Sequence, residues 1–177
     1  IEKYNILKSK FEEKQKPLIK KRITKQLEKD TYPLLVQWLN NYCKEKHDNN
    51  VITFDTSSQT LANFIRKEVK INSSDIDNLF QYEELSIRPD VISFFPKTSE
   101  FIFIESKIVN IGLKEIGQLL GYCLVANPKE AFLITTKNIS NSVLRVLSHD
   151  KSIITYNKNN KIKLGKLENN SVELLEI

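Results

Sequence analysis

Asp90, Glu105 and Lys107 stand at the ends of two short apolar runs, and their spacing draws them together. Val91 to Phe95 and Phe101 to Ile104 are β-branched or aromatic at nearly every position, with Pro96-Lys97-Thr98-Ser99 between them. That is the pattern of a β-hairpin whose strands are covered on both faces. If the hairpin pivots between Lys97 and Thr98, Phe95 pairs with Glu100 and Asp90 with Glu105. Directly opposed residues share a face, their Cβ atoms about 4.5–5.5 Å apart, and residues two apart on one strand share it as well. Two carboxylates that close raise each other's pKa unless positive charge lies between them. Lys107 alone does not neutralise both, whereas a hard divalent cation with oxygen ligands does. Such an ion polarises a phosphoryl oxygen and activates water, while a neighbouring lysine holds the attacking hydroxide. The chemistry expected is metal-assisted hydrolysis of a phosphodiester.

Pro89-Asp90 followed, one hairpin later, by Glu105-Ser106-Lys107 resembles the PD-(D/E)xK nuclease superfamily of restriction endonucleases, resolvases and RecB-like nucleases. The resemblance implies that Asp90 and Glu105 bind magnesium, with manganese able to substitute. It also implies that the Ser106 backbone carbonyl adds a ligand and that Lys107 orients the nucleophile. The next stretch, Gly112 to Ala126, reads as a helix with Leu113, Ile116, Leu120, Cys123 and Leu124 on one face and Lys114, Gln118 and Tyr122 on another. Gln118 and Tyr122 match the QxxxY element of some RecB-like members, whose side chains look into the active site. Glu28, ahead of Tyr32-Pro33-Leu34-Leu35, matches in part a glutamate that many restriction-type members carry on the helix before the sheet, facing the metal. The other reading of Glu28 is a helical carboxylate in solvent.

These residues need elements to hold them. A first helix is expected over Ile1 to about Lys16 and a second from Pro17 to about Asp30. Thr31-Tyr32-Pro33 then leads into a third, Leu34 to Lys46, with Trp38 as a core anchor. Val51 to Phe54 reads as a strand, and Thr56 or Ser57 as the cap of a helix through Leu61, Phe64 and Ile65. A short helix within Asn72 to Tyr82 would carry Asp75 and Asp77 in its first turn, where acids suit the dipole without a metal. After the site come a strand over Ala131 to Thr136, a helix through Val143 and Leu147, and a strand over Ile153 to Tyr156 beside the first of these, in parallel. The expected class is α/β, one domain over residues 1–177. Residues 26–156 form a three-layer α/β/α restriction-endonuclease-like core around a mixed sheet, preceded by a basic helical segment (1–30) and followed by a C-terminal hairpin or tail (157–177).

The formal net charge is +5, and residues 1–30 hold ten of the 27 Lys and Arg but five of the 22 Asp and Glu, so the remainder balances. Lys20, Lys21, Arg22 and Lys25 cluster there as a face that meets DNA phosphates or, on the plainer reading, only water. Cys43 and Cys123 lack metal-ligand or disulfide spacing, which favours a reducing cytoplasm. His47 and His149 are expected to be solvated. No apolar run approaches the roughly 18 residues of a membrane span. With no methionine even at its first position, the chain reads as a trimmed or excised piece of a longer one. The function expected is a Mg2+-dependent endodeoxyribonuclease, with RNA a further conceivable substrate and a homodimer a conceivable assembly whose interface is not legible. The alternatives are a silent nucleic-acid-binding module on the same fold and, more remotely, a glycosidase carboxylate pair.

Overall fold

The computed structural model describes residues 27–68 and 85–176. The basic cluster at Lys20, Lys21, Arg22 and Lys25, the first expected helix, most of the second and the helix expected within Asn72 to Tyr82 lie outside them.

The elements run α1 (Tyr32–Lys46), β1 (Ile52–Asp55), α2 (Leu61–Glu68), β2 (Val91–Phe95), β3 (Glu100–Lys107), α3 (Leu113–Ala126), β4 (Glu130–Thr135) and α4 (Asn141–His149). A 3-10 turn (Ser152–Ile154) then leads to β5 (Thr155–Tyr156), β6 (Asn160–Glu168) and β7 (Ser171–Leu174). They build a mixed seven-stranded sheet flanked by helices, in the order β1-β2-β3-β4-β6-β5, with β7 paired to β6. β1, β2 and β3 are antiparallel, and β3, β4 and β6 are mutually parallel.

Every side chain of β2 is buried, because alternate residues pack on opposite faces. Val91, Phe95, Ile102, Ile104, Phe132 and Ile134 meet Leu35 and Leu39 of α1. Ile92, Phe94, Phe103 and Leu133 meet α2, α3 and α4 through Phe64, Leu119 and Val143. Trp38 anchors α1 as expected, edge-on to Phe132 at 5.2 Å and stacked on Tyr42 at 5.3 Å.

Several expectations needed correction. Helix α1 starts at Tyr32 rather than Leu34, since Pro33 fits its first turn, where no backbone N–H is needed. Thr56 caps nothing: it is buried, and its hydroxyl donates to Pro89 O at 2.8 Å, while Thr60 Oγ1 accepts from the Asn63 N–H. Helix α3 buries Ile116, Leu119, Cys123 and Ala126 and turns Leu113 and Leu124 outward. Its apolar residues leave few gaps, so periodicity alone did not fix which stripe faces inward. The strand expected over Ile153 to Tyr156 shrinks to two residues that do not touch β4, because β6 lies between them. The C-terminal hairpin exists as β6 and β7, but β6 is an interior strand of the sheet. His47 is packed rather than solvated, 5.8 Å from the Phe95 ring with Nε2 3.3 Å from Glu130 Oε1.

Gly165 in β6 marks a tight approach. A Cβ there would stand 2.8 Å from Ile134 Cδ1 and 3.0 Å from the Glu173 carbonyl oxygen, whereas Gly117 in α3 faces open space. Gly165→Ala should therefore cost about 1–3 kcal/mol, and Gly117→Ala should add about 0.5–1 kcal/mol by removing chain entropy from the unfolded state. Urea denaturation of both variants checks the pair of opposite signs.

Candidate functional site

The hairpin has the register that its sequence implies. Phe95 faces Glu100 and Val91 faces Ile104, so Asp90 comes opposite Glu105, and the Asp90 N–H donates to Ile104 O at 3.0 Å. The bend at Pro89-Asp90 is pinned from the side by Thr56, whose N–H donates to Asp90 O at 2.9 Å and whose hydroxyl takes Pro89 O. Thr56 follows the last residue of β1, so two strands position the aspartate.

Glu105 and Lys107 project toward α3, and the side chain of Ser106 between them points to the α1 side. Lys107 Nζ lies 2.6 Å from Glu105 Oε1, and Gln118 Nε2 donates to that oxygen at 2.5 Å. Gln118 Nε2 also lies 3.4 Å from the Tyr122 hydroxyl, as expected for residues one helical turn apart. Residues 27–29 are helical, and Glu28 Oε1 approaches Lys107 Nζ at 3.8 Å. Asp90, Glu105, Lys107, Gln118, Tyr122 and Glu28 thus form one cluster. Asp90 Oδ2 accepts the Ser106 N–H at 2.8 Å, so the backbone of Ser106 touches the cluster even though its hydroxyl does not.

Two further residues were not singled out in the sequence. Tyr32, nearly fully buried, donates its hydroxyl to Asp90 Oδ1 at 2.9 Å. Thr31 pairs its hydroxyl with Ser106 Oγ at 2.9 Å and with Glu28 O at 2.7 Å, which ties the turn after Glu28 to β3. The available signal was a pair of hydroxyl residues at a helix start, directly after Glu28. Taken as a connection, Thr31-Tyr32-Pro33 hid it.

The electrostatics follow from burial. Glu105 is 2% exposed. That burial, with the charge of Asp90, pushes its carboxyl up to about 8 against the pull of Lys107. Asp90 is also raised by burial, opposed by the Ser106 N–H, Lys107 and the Tyr32 hydroxyl. Burial acts to lower Lys107, but Glu105, Asp90 and Glu28 more than offset it and keep the ammonium protonated. Tyr122 is raised by burial and by Glu105, so its phenol stays neutral. Near neutral pH the two acids therefore share less than two negative charges.

One atom bears on what would complete the cluster. Glu105 Oε2 is buried without a hydrogen-bond partner among the described residues, a costly state for a carboxylate oxygen. A hard divalent cation fits that oxygen and the neighbouring Asp90. Among the described residues no three His, Cys, Asp or Glu side chains are grouped as a metal cage. Oxygen donors of this kind suit a hard divalent ion rather than a soft one. No protein-family model matches the chain, nor does any curated protein or solved structure.

The raised carboxyl has a measurable sign. Between pH 4.5, the ordinary value for a glutamate, and about 8, the folded chain keeps a proton that the unfolded chain releases. In chelator, stability should therefore fall as pH rises through that window. Glu105→Gln should remove most of this slope and melt above the parent at pH 8, as thermal unfolding across the window would register.

Proposed function

We propose that this chain is a metal-dependent phosphodiesterase acting on DNA, an endonuclease of the PD-(D/E)xK kind, with the sheet and its helices as a restriction-endonuclease-like α/β/α core. RNA offers the same bond and is the nearest alternative substrate. The observation that carries this reading is the state of Glu105: one oxygen is held by Lys107 and Gln118, and the other is buried beside Asp90 with no partner among the described residues.

In this reading Asp90 and Glu105, with the Ser106 carbonyl, would hold magnesium, or manganese in its place. The bound ion supplies positive charge that polarises a phosphoryl oxygen and lowers the pKa of water. Tyr32 and the Ser106 N–H, one on each oxygen of Asp90, fix the direction in which that carboxylate presents its remaining lone pairs. Lys107 stays cationic through its three acidic neighbours and donates to the attacking oxygen, stabilising the negative charge gathering there. A water that has given up one proton to solvent adds to phosphorus in line with the leaving oxygen; the opposite P–O bond breaks, and the alkoxide released takes a proton from solvent. Gln118 restrains Glu105 from α3, and Tyr122 restrains Gln118. Glu28 adds a third carboxylate near Lys107, keeping the ammonium charged as substrate phosphate approaches.

The test is plasmid cleavage with magnesium. Asp90→Ala, Glu105→Ala and Lys107→Ala should each reduce the rate by roughly 100-fold or more, and chelator should abolish it. Cleavage unchanged in these variants would overturn the reading. Retention of DNA without nicking under any divalent ion would instead favour a silent binding module.

A further inference from the structure

The carboxyl ends of β4 and β6 border a cleft of about 350 Å3, walled by Ile139, Leu144 and Leu175 and rimmed by Lys137, Asn138 and Lys166. Lys107 lies beside Thr135, and Thr135 beside Lys166, in the parallel register of β3, β4 and β6. Their strand neighbours Ile134 and Leu167 pack on the α1 side, so these three residues point to the α3 side, that of Glu105 and Gln118. Two strand spacings, about 10 Å, separate the backbones of Lys107 and Lys166.

The lining is unlike that of a structural void. Lys137 is exposed, and no carboxylate pairs with it among the described residues. Among the described residues Lys166 forms an ion pair only with Glu168, at 3.0 Å near the solvent-exposed end of β6, where such a pair contributes little and is readily exchanged. Helix α4 begins at Asn141, on the lip of the cleft, with Ser140 as its cap, so the positive end of its dipole opens there. Between site and cleft stands the loop after β3, held down by Thr135 Oγ1 on Val109 O at 2.6 Å and by the Asn138 N–H on Asn110 Oδ1 at 3.2 Å.

The geometry points to a nucleotide subsite: the cleft takes one unpaired nucleotide of the substrate strand, a short way along it from the scissile phosphate. Its base lies against the aliphatic walls, its edge meets the amides of Asn138 and Asn141, and its phosphate meets Lys137 and Lys166. A stacked duplex offers no base to such a cleft, so the ligand is single-stranded. The nearness to a scissile phosphate rests on the nuclease reading; the binding does not.

The experiment is fluorescence anisotropy of a labelled single-stranded oligonucleotide and of its blunt duplex, with calcium replacing magnesium, at several salt concentrations. Two variants probe the cleft: Lys137→Ala with Lys166→Ala, and Leu144→Trp, which fills it from a partly exposed position. Each should raise Kd for the single strand about tenfold or more while changing duplex binding less. The double lysine variant should also flatten the log–log salt dependence by about 0.7, one phosphate contact on a single strand. Single-strand affinity equal to the parent's in both variants overturns the subsite and leaves the nuclease reading intact. Cleft-dependent binding by a chain that cuts nothing overturns the nuclease reading and leaves the subsite standing. A parent chain that binds neither oligonucleotide overturns the subsite outright.

Discussion

Burying a carboxylate beside another carboxylate is among the costlier things a small protein does, and this sheet does it at the end of its central hairpin. Glu105 is enclosed by apolar strands and by α3, with Asp90 directly opposite. Water is denied to it, and the nearest cation, Lys107, is shared with Asp90 and Glu28. The site answers in two ways. It retains a proton on the acids, and it recruits donors: Gln118 and Lys107 on Glu105, Tyr32 and the Ser106 amide on Asp90. Even so, one Glu105 oxygen has no partner among the described residues. Three separate elements hold this costly arrangement together, which is the basis for the proposed cation site.

The rest of the fold keeps those acids from moving apart. The hairpin fixes them face to face, Thr56 at the end of β1 clamps the bend before β2, and α1 supplies Tyr32 while its preceding turn hooks Ser106 through Thr31. Helix α3 presents Gln118 and Tyr122 because its buried stripe runs through Ile116, Leu119 and Cys123. Turning that helix by one residue would withdraw the glutamine. Site and core are in this sense a single packing problem: the apolar residues that stabilise the sheet also set the angles of the polar ones.

What could be read from the sequence follows from which interactions are local. The hairpin was legible, since two apolar runs and one turn fix its register, and register alone brings Asp90 to Glu105. So was the Gln118–Tyr122 pair, because a spacing of four on a helix has one meaning. Contacts over long sequence separations were not. Tyr32 meets Asp90 across 58 residues and Thr31 meets Ser106 across 75, and nothing near Tyr32 marks its hydroxyl as spoken for. Sheet order failed for a related reason. A strand such as β6, with lysines at 161, 163 and 166, looks like an exposed tail, yet Ile162, Leu164 and Leu167 are buried between β4 and its far neighbours. Its lysines sit at the strand's ends or reach out over rings, as Lys163 does over Tyr42 and Phe132.

The central claim is that the acid pair is a cation site. Manganese soaked into crystals and located by its anomalous scattering tests it most directly. The expected result is a peak between Asp90 and Glu105, with Lys107 and Gln118 drawn off the glutamate oxygen that they now share. A map without a peak at that position at saturating manganese, with both donors still on Glu105, would contradict it.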